Sequence, residues 1–177
     1  MHGLMDNTLV GEPSANHPKT EEHQSARVLV LGVGNLLMGD EGVGVHVLRA
    51  LEMETPSPEL RLLDGGTGGI NLLSEFDGVR DIILIDATRD GQSAGTIRFL
   101  QPRNVTDLPR GLGAHDFGLK DLFAVSALLD QTPSIHLFTI SVEEIRPMSM
   151  ELSPAVESAV PKVVRNVREL ADRLTYP

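Results

Sequence analysis

Five side chains able to bind a cation or move a proton stand at the ends of short aliphatic runs. They are Asp40 and Glu41 in GVGNLLMGDEGVG (32–44), Asp64 in LRLLDGG, Asp86 in DIILIDA and His115 in RGLGAHDFG (110–118). If four carboxylates gather at one edge of a sheet, each disfavours ionisation of the others. A bound cation reverses the sign of that interaction. Carboxylate oxygen and imidazole nitrogen suit zinc, nickel, iron or manganese rather than copper(I), which prefers sulfur. His115 precedes a helical pattern, and a helix N-terminus disfavours imidazolium, leaving a neutral ring ready to ligate. Plainer roles compete for some of these residues. Asp64 before Gly-Gly suits a turn cap, and Asp116 suits the N-cap of the following helix. Asp86 is harder to explain away, because an acid closing a buried aliphatic strand needs a partner.

The elements that must position these residues are legible as alternating patterns. The runs 27–34, 60–64, 81–87, 96–101 and 134–142 are short, aliphatic and bounded by turn residues, so they read as strands. The first, third and last read as buried on both faces. Gly42–Glu54 reads as a helix with Val43, Val47, Ala50 and Leu51 on one stripe. His46, Arg49 and Glu52 fall on another, which places His46 on the solvated surface. Residues 117–129 repeat the helical spacing. A long helix closes the chain, with Ser153 as N-cap, Pro154 in its first turn, and an apolar face of Val156, Val160, Val163, Val164, Val167, Leu170 and Leu174. Pro161 inside that pattern predicts a kink or a break near residue 160. Strands alternating with helices predict an α/β fold: a three-layer α/β/α sandwich around a mostly parallel, twisted, five-stranded sheet. Ligands in such sheets bind at the carboxyl ends of strands, where the acids lie.

Residues 1–26 are polar and without periodicity, and they read as a flexible tail carrying His2, His17 and His23. The remaining residues, 27–177, make one domain. A net charge of −10 argues against a nucleic-acid partner. The chain has no cysteine, which removes disulfides, thiolate nucleophiles and iron–sulfur ligation. No apolar run approaches the roughly 20 residues that span a bilayer. The opening residues lack the basic and apolar regions of a secretory signal. A cytoplasmic protein with no membrane association is expected.

Other chemistries fit poorly. A dinucleotide fingerprint in GVGNLLMGDEG would need a small residue where Leu37 stands, and Glu41 would repel a pyrophosphate. No G-x-S-x-G elbow and no H-E-x-x-H helix occurs.

The stretches VLVLGVGNLLMGDEGVGV (28–45), LLDGGTGG (62–69), IILIDA (82–87) and AHDFGLKDLFA (114–124) resemble the nickel–iron hydrogenase maturation endopeptidases, with a weaker likeness in SPAVESAVPKVV (153–164). The resemblance covers about residues 27–173. It implies an endopeptidase that removes the C-terminal extension of a hydrogenase large-subunit precursor once nickel is installed. The metal ligands it implies are Glu41, Asp86 and His115. On our own reading of the residues, Asp40 or Asp64 is the candidate base for an attacking water. A thiol-free site of this kind reads nickel carried by the substrate rather than extracting it. The partner implied is the precursor, met by a monomeric enzyme. A non-cleaving binding module for the same precursor, or a peptidase with its own zinc, would use the same ligand positions. The long N-terminal tail departs from the family pattern.

Overall fold

The computed structural model describes residues 27–54, 59–67, 69–109, 111–112 and 133–176. The N-terminal tail, His115, Asp116 and the helix expected over 117–129 lie outside them.

Five strands form one sheet: β1 (Val28–Val33), β2 (Leu60–Gly66), β3 (Asp81–Thr88), β4 (Ile97–Leu100) and β5 (Ser134–Ser141), in the order β2-β1-β3-β5-β4. All neighbouring pairs are parallel except β4 with β5. Every residue of β1 and β3 is buried, and so is β5 from His136 onward. Their unbroken aliphatic runs have this cause: parallel strands are covered on both faces, so neither face needs polar residues.

One face carries α1 (Val43–Glu52) and α2 (Pro154–Thr175) over Val28, Val30, Ile83, Ile85, Phe138 and Ile140. The other face packs Leu72 and Phe76, from a 3-10 helix at Gly69–Phe76, with Leu29, Leu31, Ile82, Leu84 and Leu137. The expected α/β architecture is present. In α2, Val156, Val163, Val164, Val167 and Leu170 are buried, with Val160 and Leu174 packed at the margin.

Two local expectations change. The long helix runs unbroken through Pro161. Pro161 is exposed, so the carbonyl deprived of its partner can be hydrated, and buried valines on either side hold both halves to one core. His46 is half-buried and hydrogen-bonded to the Met150 backbone rather than solvated, and desolvation pushes its pKa down.

The strand order fixes where a ligand can enter. From β1 the chain passes through α1 to β2 on one side, and β3 then lies on the other side of β1. The carboxyl ends of β1 and β3 therefore flank the crevice where connections diverge, the usual ligand site in an open α/β sheet.

Candidate active site

The loop leaving β1 is shaped by close backbone approach. Gly34 has φ +140°, and a Cβ there would lie 2.0 Å from the Glu41 carbonyl oxygen, so the loop folds back on itself only with glycine at 34. Gly44 lets the start of α1 pass over the strand ends, because a Cβ would meet the Ile85 and Val33 carbonyl oxygens at 2.3 Å. Between them a 3-10 turn, Gly39–Gly42, carries Asp40 and Glu41 inward. Asp40 is 3 % exposed, Glu41 1 % and Asp86 0 %.

Each acid is held differently. Asp86 Oδ1 accepts the Ala87 N–H at 2.8 Å. Asp40 Oδ1 accepts the Ser153 N–H at 2.5 Å, tying the β1 loop to the N-terminus of α2. The Ser153 hydroxyl makes no capping bond, so the helix entry is satisfied from a distant loop and not by its own N-cap side chain. Asp64 faces Gly32 across β1–β2, where a register shift follows. It is exposed, and its Oδ1 accepts the Gly66 N–H at 2.9 Å, the turn-capping bond that Asp before Gly-Gly favours.

Beside these acids lies a cavity of about 500 Å³ lined by Glu41, Ala87, Arg89, Gly111, Leu112, Val142 and Ile145. Its far wall is stitched to the end of β3. Arg89 donates its N–H to the Gly111 carbonyl at 2.7 Å, Leu112 bridges to Thr88, and Val142 donates to the Thr88 carbonyl at 2.9 Å. Leu112 stands three residues before His115 in the chain.

Of the three expected ligands, Glu41 and Asp86 are thus both buried at the β1–β3 edge, and His115 lies outside the described residues. Among the described residues no three His, Cys, Asp or Glu side chains are grouped to hold a metal. Arg89, Val142 and Ile145 were not legible as site residues. Arg89 is a single cation in a polar stretch after Asp86, and the other two owe their place to how the segment after β5 folds over.

The hydrogenase maturation protease family model matches residues 45–169. The chain belongs to that family. The hydrogenase 2 maturation protease of Escherichia coli is 32 % identical over 145 residues, spanning 80 % of this chain and 88 % of that one. A hydrogenase expression/formation protein of Thiocapsa roseopersicina, HupD, is 36 % identical over 75 % of this chain and 66 % of its own length. Among solved structures, the hydrogenase-maturating endopeptidase HybD from E. coli matches with a TM-score of 0.72 and 30 % identity, over 80 % of this chain and 89 % of that one. Membership of the hydrogenase maturation protease family makes this chain a peptidase by class and sets aside the dinucleotide reading of the Gly-rich loop. No helix among the described residues is long and apolar enough to cross a membrane.

Proposed function

We propose that this protein removes the C-terminal extension of a nickel–iron hydrogenase large-subunit precursor after nickel insertion, and that Glu41, Asp86 and His115 together recognise the nickel held by that substrate. The observation that carries this reading is the pairing of two buried carboxylates, Glu41 and Asp86, at the β1–β3 crevice, with a cavity against Glu41. His115 follows Leu112 of the cavity lining by three residues in the chain.

Two carboxylates and an imidazole, with no thiolate, hold a divalent ion only modestly, which suits inspection rather than extraction. Substrate-borne nickel docked here fixes the peptide beside it, so the entropy of bringing water and the scissile carbonyl together is met by the complex. Water's oxygen adds to that carbonyl, the C–N bond breaks, and the amine leaves with a proton. The base is Asp40 or Asp64; of the two, Asp64 is exposed to solvent, and Asp40 has one oxygen committed to Ser153. The protein acts in the cytoplasm as a monomer.

Mass spectrometry of purified precursor, loaded with nickel or free of it and incubated with this protein, tests the reading. Cleavage of the loaded form alone is expected. Equal cleavage of both forms rejects nickel recognition. Binding without cleavage of the loaded form makes the protein a precursor-holding module instead.

A further inference from the structure

The cavity beside Glu41 has a second charged residue in its lining, Arg89. Its backbone is clamped. The N–H is held by Gly111, and Gly111 packs so tightly against it that a Cβ there would come within 2.8 Å of the Arg89 carbonyl oxygen. The residue is nonetheless exposed. Among the described residues, Arg61, Arg80, Arg98 and Arg168 form ion pairs with acids, and Arg89 forms none. The acid next to it in the chain is already engaged, since Asp90 pairs with Arg98 at 3.4 Å and accepts the Gln92 N–H at 3.1 Å. In a chain of net charge −10, Arg89 is a guanidinium on a clamped backbone in the cavity wall, with no ion-pair partner among the described residues.

We propose that Arg89 is a specificity-determining residue that binds a carboxylate of the precursor peptide beside the cleaved bond. The inference rests on the protease reading above. Arginine presents a planar fork that matches a carboxylate bidentately. Besides Glu41 and Gly111, the described lining is apolar, Ala87, Leu112, Val142 and Ile145, so the guanidinium is the cationic group a peptide carboxylate meets there. Two sources supply this group: the new terminal carboxylate formed by hydrolysis, or an acidic side chain flanking the cut.

The test uses the full-length protein and nickel-loaded precursor. Two competitors are compared, a peptide ending at the cut as free acid and the same peptide as C-terminal amide, alongside precursor whose flanking Asp and Glu are changed to Asn and Gln. A terminal source predicts that the free acid inhibits about 10-fold more tightly than the amide, the effect of one charge-assisted contact. A side-chain source predicts that the neutralised precursor shows about a 10-fold higher KM. In either case Arg89→Gln erases the difference and Arg89→Lys restores part of it; for a side-chain source Arg89→Gln also raises KM more than it lowers kcat, and for a terminal source it weakens inhibition by the free acid with KM for precursor unchanged. The proposal is overturned if Arg89→Gln leaves both the free-acid inhibition and the KM for precursor as in the wild type, or if the wild type discriminates in neither comparison. If the wild type leaves loaded precursor uncut, the protease reading itself fails, and the role of Arg89 falls with it.

Discussion

The two edges of the sheet both bury acids, and they treat them in opposite ways. At the amino edge Asp81 opens β3, 6 % exposed. Its Oδ1 lies 2.9 Å from His136 Nε2, and its Oδ2 accepts from Arg80 Nε at 2.7 Å. His136 Nδ1 lies 3.2 Å from Gln101 Nε2, and its ring stacks on Phe99 with centroids 6.4 Å apart. Arg80 also donates to the Leu174 carbonyl near the end of α2. Here the carboxylate is spent on side chains, and the network binds β3, β5, the end of β4 and α2 together. At the carboxyl edge Asp40 and Asp86 accept backbone N–H groups, and Glu41 lines a cavity. Backbone N–H groups fix where the Asp40 and Asp86 carboxylates sit, at the ends of the strands where a ligand enters. The lesson is that burial alone does not mark a functional acid; what meets its charge does.

Substitutions at the two edges should separate cleanly. Glu41→Gln or Asp86→Asn is expected to lower precursor cleavage by about 100-fold or more, the scale of losing one preorganised electrostatic group, with a thermal midpoint near that of the wild type. Asp81→Ala is expected to do the reverse, costing about 3 kcal/mol of stability by leaving a buried network broken, while activity per folded molecule is retained. Denaturant melts and cleavage assays on the same preparations check both, and a shared loss of activity at the two edges would falsify the contrast.

Asp40 sharpens it further, because this carboxyl-edge acid has a structural bond. Asp40→Ala removes the acceptor for the Ser153 N–H and should cost about 1 kcal/mol, as loss of a helix cap does. Asp40→Asn keeps an oxygen at that position and should recover the stability. If Asp40→Asn is as stable as the wild type yet fails to cleave, Asp40 rather than Asp64 is the base.

The smallest effect concerns pH. Burial lowers the His46 pKa in the fold, opposed by its bond to the Met150 backbone and by Glu157, and reinforced by Arg49. The folded state then binds fewer protons than the unfolded chain between that lowered value and the ordinary one near 6.5. Stability is full above that range and falls as pH drops through it. His46→Gln should flatten this part of a stability-against-pH curve, and an unchanged slope would remove His46 as its source.

The burial of two candidate acids at strand ends was readable in the sequence, for physical reasons that differ by residue. Asp86 announced itself because an acid closing IILIDA has no place in an aliphatic core without a purpose. Glu41 was legible because it stands in the loop after the first strand and just before a helix, where an α/β sheet binds ligands. The Asp81–His136 pair was not legible, because it joins residues 55 apart in sequence and only strand register sets them side by side. Arg89 was not legible either, because nothing in its own neighbourhood distinguishes it from any surface cation.

The sequence by itself determined the five strands, α1 and α2, and which carboxylates end up at strand termini, because hydrophobic periodicity and local turn chemistry act over a few residues. Tertiary structure alone decided that β1 and β3 lie side by side, that Ser153 is held by Asp40 from across the chain, and that Asp81 meets His136. Those outcomes depend on strand order and long-range packing, which no local spacing encodes.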